Sequence, residues 1–402
     1  MNLSPYQKLS LAGIFLFAFG IPISFVPAEF GIAFALLGWL LEGLVRNHWQ
    51  VRWHRFFIPL SIYIAWNIFS SAVSPRPLHS LWAVADNEWS LFIMVMMFWI
   101  VPDLRTLSRI VAVFLSVSGI AMVYGIWQTF GGVEYYRHEQ LAPLGAYFRA
   151  VGFNGFYLTF AGFAMTVFFL AVSHTIEVRT KAGKWYGVLS VLSFLAVVAS
   201  FARSIWLSLV VAIPASGFLR GRKQGFAVTA GLFILVGVTM LASAAIRSRL
   251  ESIVDLPEHE TRLNLWKTSI RIAEAFPITG IGEDNFDYYF EKYRVEGYYD
   301  VTGHPHSDYF NVLVNSGIPG FLSFLAMWWM AIRTGVRAWR GTRDASVRAA
   351  AAGGVFGIVG FLVGAFFQDY YGTFANCLGW WFVTGIVFTS SRFADSTGQM
   401  SV

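Results

Sequence analysis

The chain has 402 residues, of which 56% are hydrophobic, 18% aromatic and 13% charged, with a net charge of +6. A soluble domain carries about a quarter charged residues, so this composition excludes an ordinary soluble globular protein. The apolar residues come in blocks of roughly 17–25, the length that crosses a bilayer core of about 30 Å as a helix; the alternating strands of a membrane barrel are not seen. The expected fold class is an all-α polytopic integral membrane protein with about twelve transmembrane helices and one large, largely helical external loop.

In chain order, spans are expected near 9–25, 28–45, 56–73, 88–101, 108–129, 151–173, 185–201, 204–219, 225–246, 316–333, 349–369 and 373–391. The first follows Lys8 like a signal peptide, but VPAEFG behind it is a poor small-x-small cleavage site, so it reads as an uncleaved span. The fourth is short, and is expected to be tilted or partly re-entrant. No internal repeat is visible, which argues against an inverted-repeat transporter. The single cysteine, Cys377, rules out an intramolecular disulfide.

Short-loop cations set the orientation. Eighteen Lys and Arg fall on one side, including Lys8, Arg46, Arg52, Arg55, Arg179 and the five arginines from Arg333 to Arg348. Only Arg76, Arg137, Arg149 and Arg203 fall on the other, outside the long segment 247–315. Both termini are therefore expected in the cytoplasm and 247–315 outside. Residues 187–219 form an apolar run interrupted only by Arg203. As one helix it would be about 50 Å long, too long for a bilayer, so it is expected to turn back tightly at Arg203. The chain thus divides into 1–246 with nine spans, the external loop 247–315, and 316–402 with the last three spans and the cytoplasmic C-terminus.

Two external stretches stand out. Residues 130–150 form a short aromatic loop carrying Arg137, His138 and Arg149. Within 247–315, residues 259–276 read as an amphipathic helix with Leu263, Trp266, Ile270 and Ala273 on one face. Pro277, Gly280 and Gly282 end it. The following NFDYYFEKYRVEGYYD suits headgroups or sugar rings.

Chemistry concentrates on this side. His306 and Ser307 open the last external stretch, GHPHSDYF, at the membrane boundary. A neutral imidazole there is a base suited to an amphiphilic substrate; a capping or idle loop histidine is the bland alternative. His304, His306 and Asp308 alternate as metal ligands could, but no further ligand motif supports them and no metal is expected. Arg203 at membrane depth marks a site, or else a cation snorkelling from a helix end. Arg149, Arg247 and Arg262 could present forks to phosphate oxygens, or merely touch headgroups. The loop 247–315 holds 7 basic and 12 acidic residues, so any phosphate site in it is local and no nucleic acid is expected. Asp369 could pair with an arginine or orient His306.

Several of these residues sit in a recognisable pattern. His306-Ser307, nine residues (DYFNVLVNS), then Gly317-x-x-Gly320 resembles the signature of the O-antigen ligase family. FARSIWL around Arg203, RLNLWKTSIRIAEAFPITGIGEDNF from Arg262, and FRAVGFNGFYLTFAG at Arg149 are similar to that family's other conserved stretches. Phe321-Leu322 departs from the Thr-Thr that many ligases carry, leaving O-antigen polymerases and protein O-oligosaccharyltransferases open as relatives. The resemblance implies a glycosyltransferase of the bacterial inner membrane acting in lipopolysaccharide biosynthesis on the periplasmic side. Its donor would be an undecaprenyl-pyrophosphate-linked glycan and its acceptor a sugar hydroxyl of lipid A–core, with no nucleotide, metal or other cofactor. His306, Arg203 and Arg262 would be catalytic, and Arg149, Arg247, Arg137, Ser307 and Asp369 would hold substrate. The rival from another class is a lipid or solute transporter, with Arg203 as counter-charge; the gathering of ionisable residues on one side speaks against it.

Overall fold

The computed structural model describes residues 3–178, 181–252, 259–300 and 302–398. Arg179 and residues 253–258 and 301 of the expected external loop lie outside that range. The described chain is predominantly helical. It opens with α1 (Pro5–Gly20), α2 (Phe25–Arg46), α3 (Phe57–Ala72) and α4 (Pro77–Glu88), then a 3-10 turn, α5 (Phe92–Ile100) and α6 (Leu104–Gly131). After a small β-structured loop come α7 (Tyr157–Glu177), α8 (Lys181–Ala199), α9 (Arg203–Arg220), α10 (Arg222–Ala242) and α11 (Ala244–Glu251). The long loop holds α12 (Glu260–Ala275) and α13 (Phe286–Tyr293), and α14 (Asp308–Gly341), α15 (Ala345–Ala365) and α16 (Phe374–Gly398) close the chain. Each expected span falls on a helix. Seven segments are long and apolar enough to cross a membrane among the described residues, and Phe57–Ala72 and Gly183–Ala199 are shorter apolar helices.

Three differences from the sequence reading have physical causes. The fourth span begins at Pro77 rather than residue 88 and runs to Ile100 as one 24-residue segment. Its first half buries Glu88, which accepts a hydrogen bond from Tyr371 (2.8 Å), so hydropathy alone misses it. The run 187–219 does break, with Phe201 in the left-handed region (φ 54°) and Arg203 opening α9. The two arms then diverge rather than pack as a hairpin: α8 lies on α7 and α6, and α9 on α10 and α15. Trp206 Nε1 donates to the Val197 carbonyl (3.1 Å), tying the new helix to the end of the old one. Finally, α12 buries Asn264, Leu265, Thr268, Ser269 and Ile272, not the Leu263–Trp266–Ile270 stripe. Leu265 and Ile272 join Phe286, Phe290, Ile281 and Val314 in a small separate core, which leaves the more apolar stripe of α12 facing away from it.

The contacts sort the loops onto two ends. At one, Glu177 pairs with Arg220 (2.9 Å) and Arg348 (2.8 Å). At the other, the Ala150 amide meets the Ala199 carbonyl (3.1 Å) and Arg249 meets the Phe201 carbonyl (3.2 Å).

The long loop is fastened to α14 at the Gly-x-x-Gly motif. Gly317 leaves helical geometry (φ 62°, ψ −171°) and kinks α14. There the Ile281 and Gly282 amides donate to the Val314 and Asn315 carbonyls (3.0 and 2.9 Å), and the Ile318 amide to Pro277 (2.8 Å). A Cβ at Gly317 would lie 2.3 Å from the Ile278 carbonyl oxygen, and one at Gly280 (φ 65°) 2.4 Å from that of Asn315. Gly317→Ala is expected to destabilise the protein by about 2 kcal/mol or more, from left-handed strain plus this clash. Thermal unfolding in detergent checks it; an unchanged midpoint would mean the kink is not required.

Candidate active site

The site forms where α9, α12, the start of α14 and the 366–373 turn converge. Arg203 is the first residue of α9, and its Nη1 donates to the Ser252 carbonyl (2.8 Å) and hydroxyl (2.9 Å). Arg262, in the first turn of α12, lines the same cavity of about 190 Å³, walled also by Ser204, Leu263, Trp266 and Phe367. The outward stripe of α12 thus serves the cavity. Trp266 stacks on Phe310 (5.4 Å). Burial, and then the neighbouring Arg203 guanidinium, pull Arg262 below the ordinary arginine range. Two guanidinium groups held side by side in one cavity favour a multiply charged anion.

His306 completes this cluster. Its backbone is left-handed (φ 52°), a conformation that non-glycine residues adopt rarely and often at functional sites. Its amide donates to His304 Nδ1 (3.2 Å), and the two rings lie 4.1 Å apart. Its own Nδ1 is enclosed without a hydrogen-bond partner among the described residues. Burial, then His304 and Arg262, lower its pKa to about 4, against the opposing pull of Asp369 and Asp300. His306 is therefore neutral at pH 7 and keeps a lone pair. His304 Nδ1, already accepting the His306 amide, stands 3.8 Å from Asp369.

Asp308 serves the fold of the site. Its buried carboxylate accepts the amides of Tyr370 (3.1 Å), Tyr371 (2.8 Å) and Gly372 (3.4 Å), pinning the 369–372 turn to the start of α14. Among the described residues no group of three His, Cys, Asp or Glu could hold a metal ion.

The other expected residues divide. Asp369 lies beside His304 and acts on His306. Arg149 lies over the Tyr157 ring (4.7 Å) with its Nε buried and without a partner among the described residues, and Tyr157 in turn acts on Arg262. Ser307 is fully buried at the N-cap of α14, its hydroxyl without a partner among the described residues. Arg137 instead braces its own loop, donating to the Phe153 carbonyl (3.0 Å) near the buried Glu134. Arg247 points to the exposed side of α11, whereas Arg249 turns inward toward Phe201.

Residues 188–325 match the family model described as O-Antigen ligase. The match supports an O-antigen ligase-like family for this part of the chain. The matched stretch contains Arg203, Arg262, His306 and the Gly317–Gly320 kink, whereas Arg149 and Asp369 lie outside it. No curated protein matches the chain. With its apolar helices, the ligase-like chain is a multi-pass membrane protein.

Sequence reasoning missed three supporting residues. Tyr370 Oη meets the Ser204 hydroxyl (2.9 Å), joining the turn to α9. Gln128 holds the chain after Arg149 by bonding the Val151 and Gly152 amides (3.1 and 2.8 Å) and the Gly152 carbonyl (3.1 Å). Glu283, after the Gly-x-Gly turn, accepts from Asn67 and Asn87 (both 3.4 Å). Burial first, then Asp369 and Asp284, raise its pKa to about 7. The folded state thus binds more protons than the unfolded one between pH 4.5 and 7, and stability falls as pH rises through that window. Glu283→Gln is expected to match wild-type stability near pH 5 and exceed it at pH 8, in melting curves across pH. Equal decline in both proteins would mean Glu283 stays charged.

Proposed function

We propose that this protein is an O-antigen ligase, transferring glycan from undecaprenyl pyrophosphate to a sugar hydroxyl of lipid A–core at the periplasmic face of the bacterial inner membrane. The observation that carries the reading is the pairing of Arg203 and Arg262 in one cavity with neutral His306 beside Arg262. An electrophile with an anionic leaving group needs those charges; a hydroxyl nucleophile needs that base.

The acceptor oxygen attacks the anomeric carbon in one inverting displacement. The new glycosidic bond forms as the bond from that carbon to the pyrophosphate oxygen breaks. His306 takes the hydroxyl proton, and the electron pair leaves with the pyrophosphate. Arg203 and Arg262 stabilise the charge growing there, the electrostatic contribution that is commonly largest. Arg149, over the Tyr157 ring, extends the anion site, and Asp369 steadies His304 and His306. Both termini lie in the cytoplasm in this arrangement.

The test mixes purified protein with undecaprenyl-pyrophosphate-linked glycan and lipid A–core in the presence of chelator. Glycan on lipid A–core is the expected product. Longer lipid-linked glycan would instead assign a polymerase, and no product of either kind would overturn the ligase reading in favour of a protein acceptor or transport.

A further inference from the structure

The end of the bundle opposite His306 holds a second arginine-lined cavity. Its volume is about 420 Å³, and it lies between the approach to α3, the last turns of α14 and the end of α16. Arg55, Arg333 and Arg337 line it, with Trp53, Met330 and Thr334 among the walls, and no Asp or Glu does. Along α14 it stands about 40 Å from His306, at 1.5 Å per residue.

The cations at this end are not equivalent. Arg220 and Arg348 share Glu177 (2.9 and 2.8 Å), Arg340 meets the Leu219 carbonyl (3.2 Å) and Arg52 that of Trp99 (3.3 Å). Arg392 bonds the Phe98 and Val101 carbonyls. The side chains of Arg55, Arg333 and Arg337 make no hydrogen bond or ion pair among the described residues, and these three share the cavity. Arg333 and Arg337 are four residues apart on one helix face, where like charges repel. Setting the bundle's orientation requires positive charge at this end but not that three unpaired forks converge on one cavity.

We infer that this cavity binds the phosphate of an anionic phospholipid headgroup. Arginine forks match phosphate oxygens, and basic pockets between helices at the cytoplasmic side suit such headgroups. The cavity's other walls are apolar at Met330 and Ala338, and Trp53 is 70% exposed beside it, placed as an interfacial anchor. That mixture fits a phosphodiester with acyl chains better than a freely hydrated ion. The inference stands independently of the transferase reading, because no residue of the His306 cluster takes part.

The experiment uses delipidated full-length protein and follows binding by native mass spectrometry and stability by thermal unfolding. Phosphatidylglycerol, phosphatidylcholine and inorganic phosphate are the probes. Phosphatidylglycerol is expected to raise the melting midpoint by several degrees, and phosphatidylcholine to do so far less. Arg333→Gln/Arg337→Gln should weaken phosphatidylglycerol binding at least tenfold. Arg55→Gln, which leaves α14 intact, should weaken it severalfold and keeps the test sound if the double variant fails to fold. If inorganic phosphate protects as well as the lipid and the variants abolish it, the phosphate site stands with a soluble source in place of the lipid. Equal lipid binding by wild type and variants, or equal response to both lipids, would overturn the inference.

Discussion

His306→Ala is expected to lower glycan transfer by about 10²–10⁴-fold, the range for losing a general base, while membrane insertion and melting temperature stay near wild type. The ring is not part of the main core: its Nδ1 has no partner among the described residues, and it lies beside the His304 ring. Its pKa of about 4 in the free protein sharpens the expectation. The acid limb of kcat/KM, which reports the free enzyme, should fall near pH 4, and the rate should not respond to this group between pH 6 and 8. Bound pyrophosphate would offset Arg262, so the corresponding limb of kcat should move upward. Stability carries the opposite signature to Glu283. The unfolded chain binds the proton with an ordinary pKa of 6.5, so the contribution of neutral His306 is complete above that pH and is lost as pH falls toward 4. Near-normal transfer by the alanine variant would remove the base role outright.

The helical membrane class was legible because it rests on block length and composition, which need no tertiary information. Where tertiary contacts decide, the sequence misled. Asn87 and Glu88 look like the end of a loop, yet they lie within a 24-residue segment because Tyr371 and Glu283 supply polar partners inside the protein. On α12 the more apolar stripe looked like the buried one, but a weakly polar stripe packs on α13 and the other lines the cavity.

The cluster itself was legible to the extent that its members are charged or carry a spacing motif. Arg203 and Arg262 announce themselves as cations in apolar surroundings, and His306 by its distance from Gly317. What those glycines do was not legible: they let residues 277–282 bond directly to the α14 backbone, which fixes Arg262 and His306 to one frame. Gln128 and Tyr370 carry no signal in a single sequence, because their importance lies in which backbone amides and hydroxyls they happen to meet. Arg247 and Arg249 show the limit in miniature. Both are arginines at the close of one apolar block, and only helix phase sends Arg249 inward.

Arg203 and Arg262 should separate charge from geometry. Arg203→Lys keeps the cation but cannot bond Ser252 and phosphate oxygens with one planar fork, so kcat/KM is expected to drop about 10²-fold, as for one lost electrostatic donor. Arg262→Met should drop it as far or further. Its effect on the free protein should run the other way: burial and Arg203 both oppose the Arg262 charge, and an apolar side chain of similar length relieves both. Stability without donor is therefore expected to hold or rise by about 1 kcal/mol. A protein that becomes no less stable while losing catalysis has given up a preorganised site, not a structural contact. Donor analogue should then protect wild type, by about 2.7 kcal/mol at a hundredfold excess over Kd, and fail to protect Arg262→Met. Because both arginines would grip one diphosphate, the double variant should lose far less than the product of the single losses. Multiplicative losses, or a marked fall in the stability of Arg262→Met, would mean the two cations act separately and that the shared cavity is not an anion site.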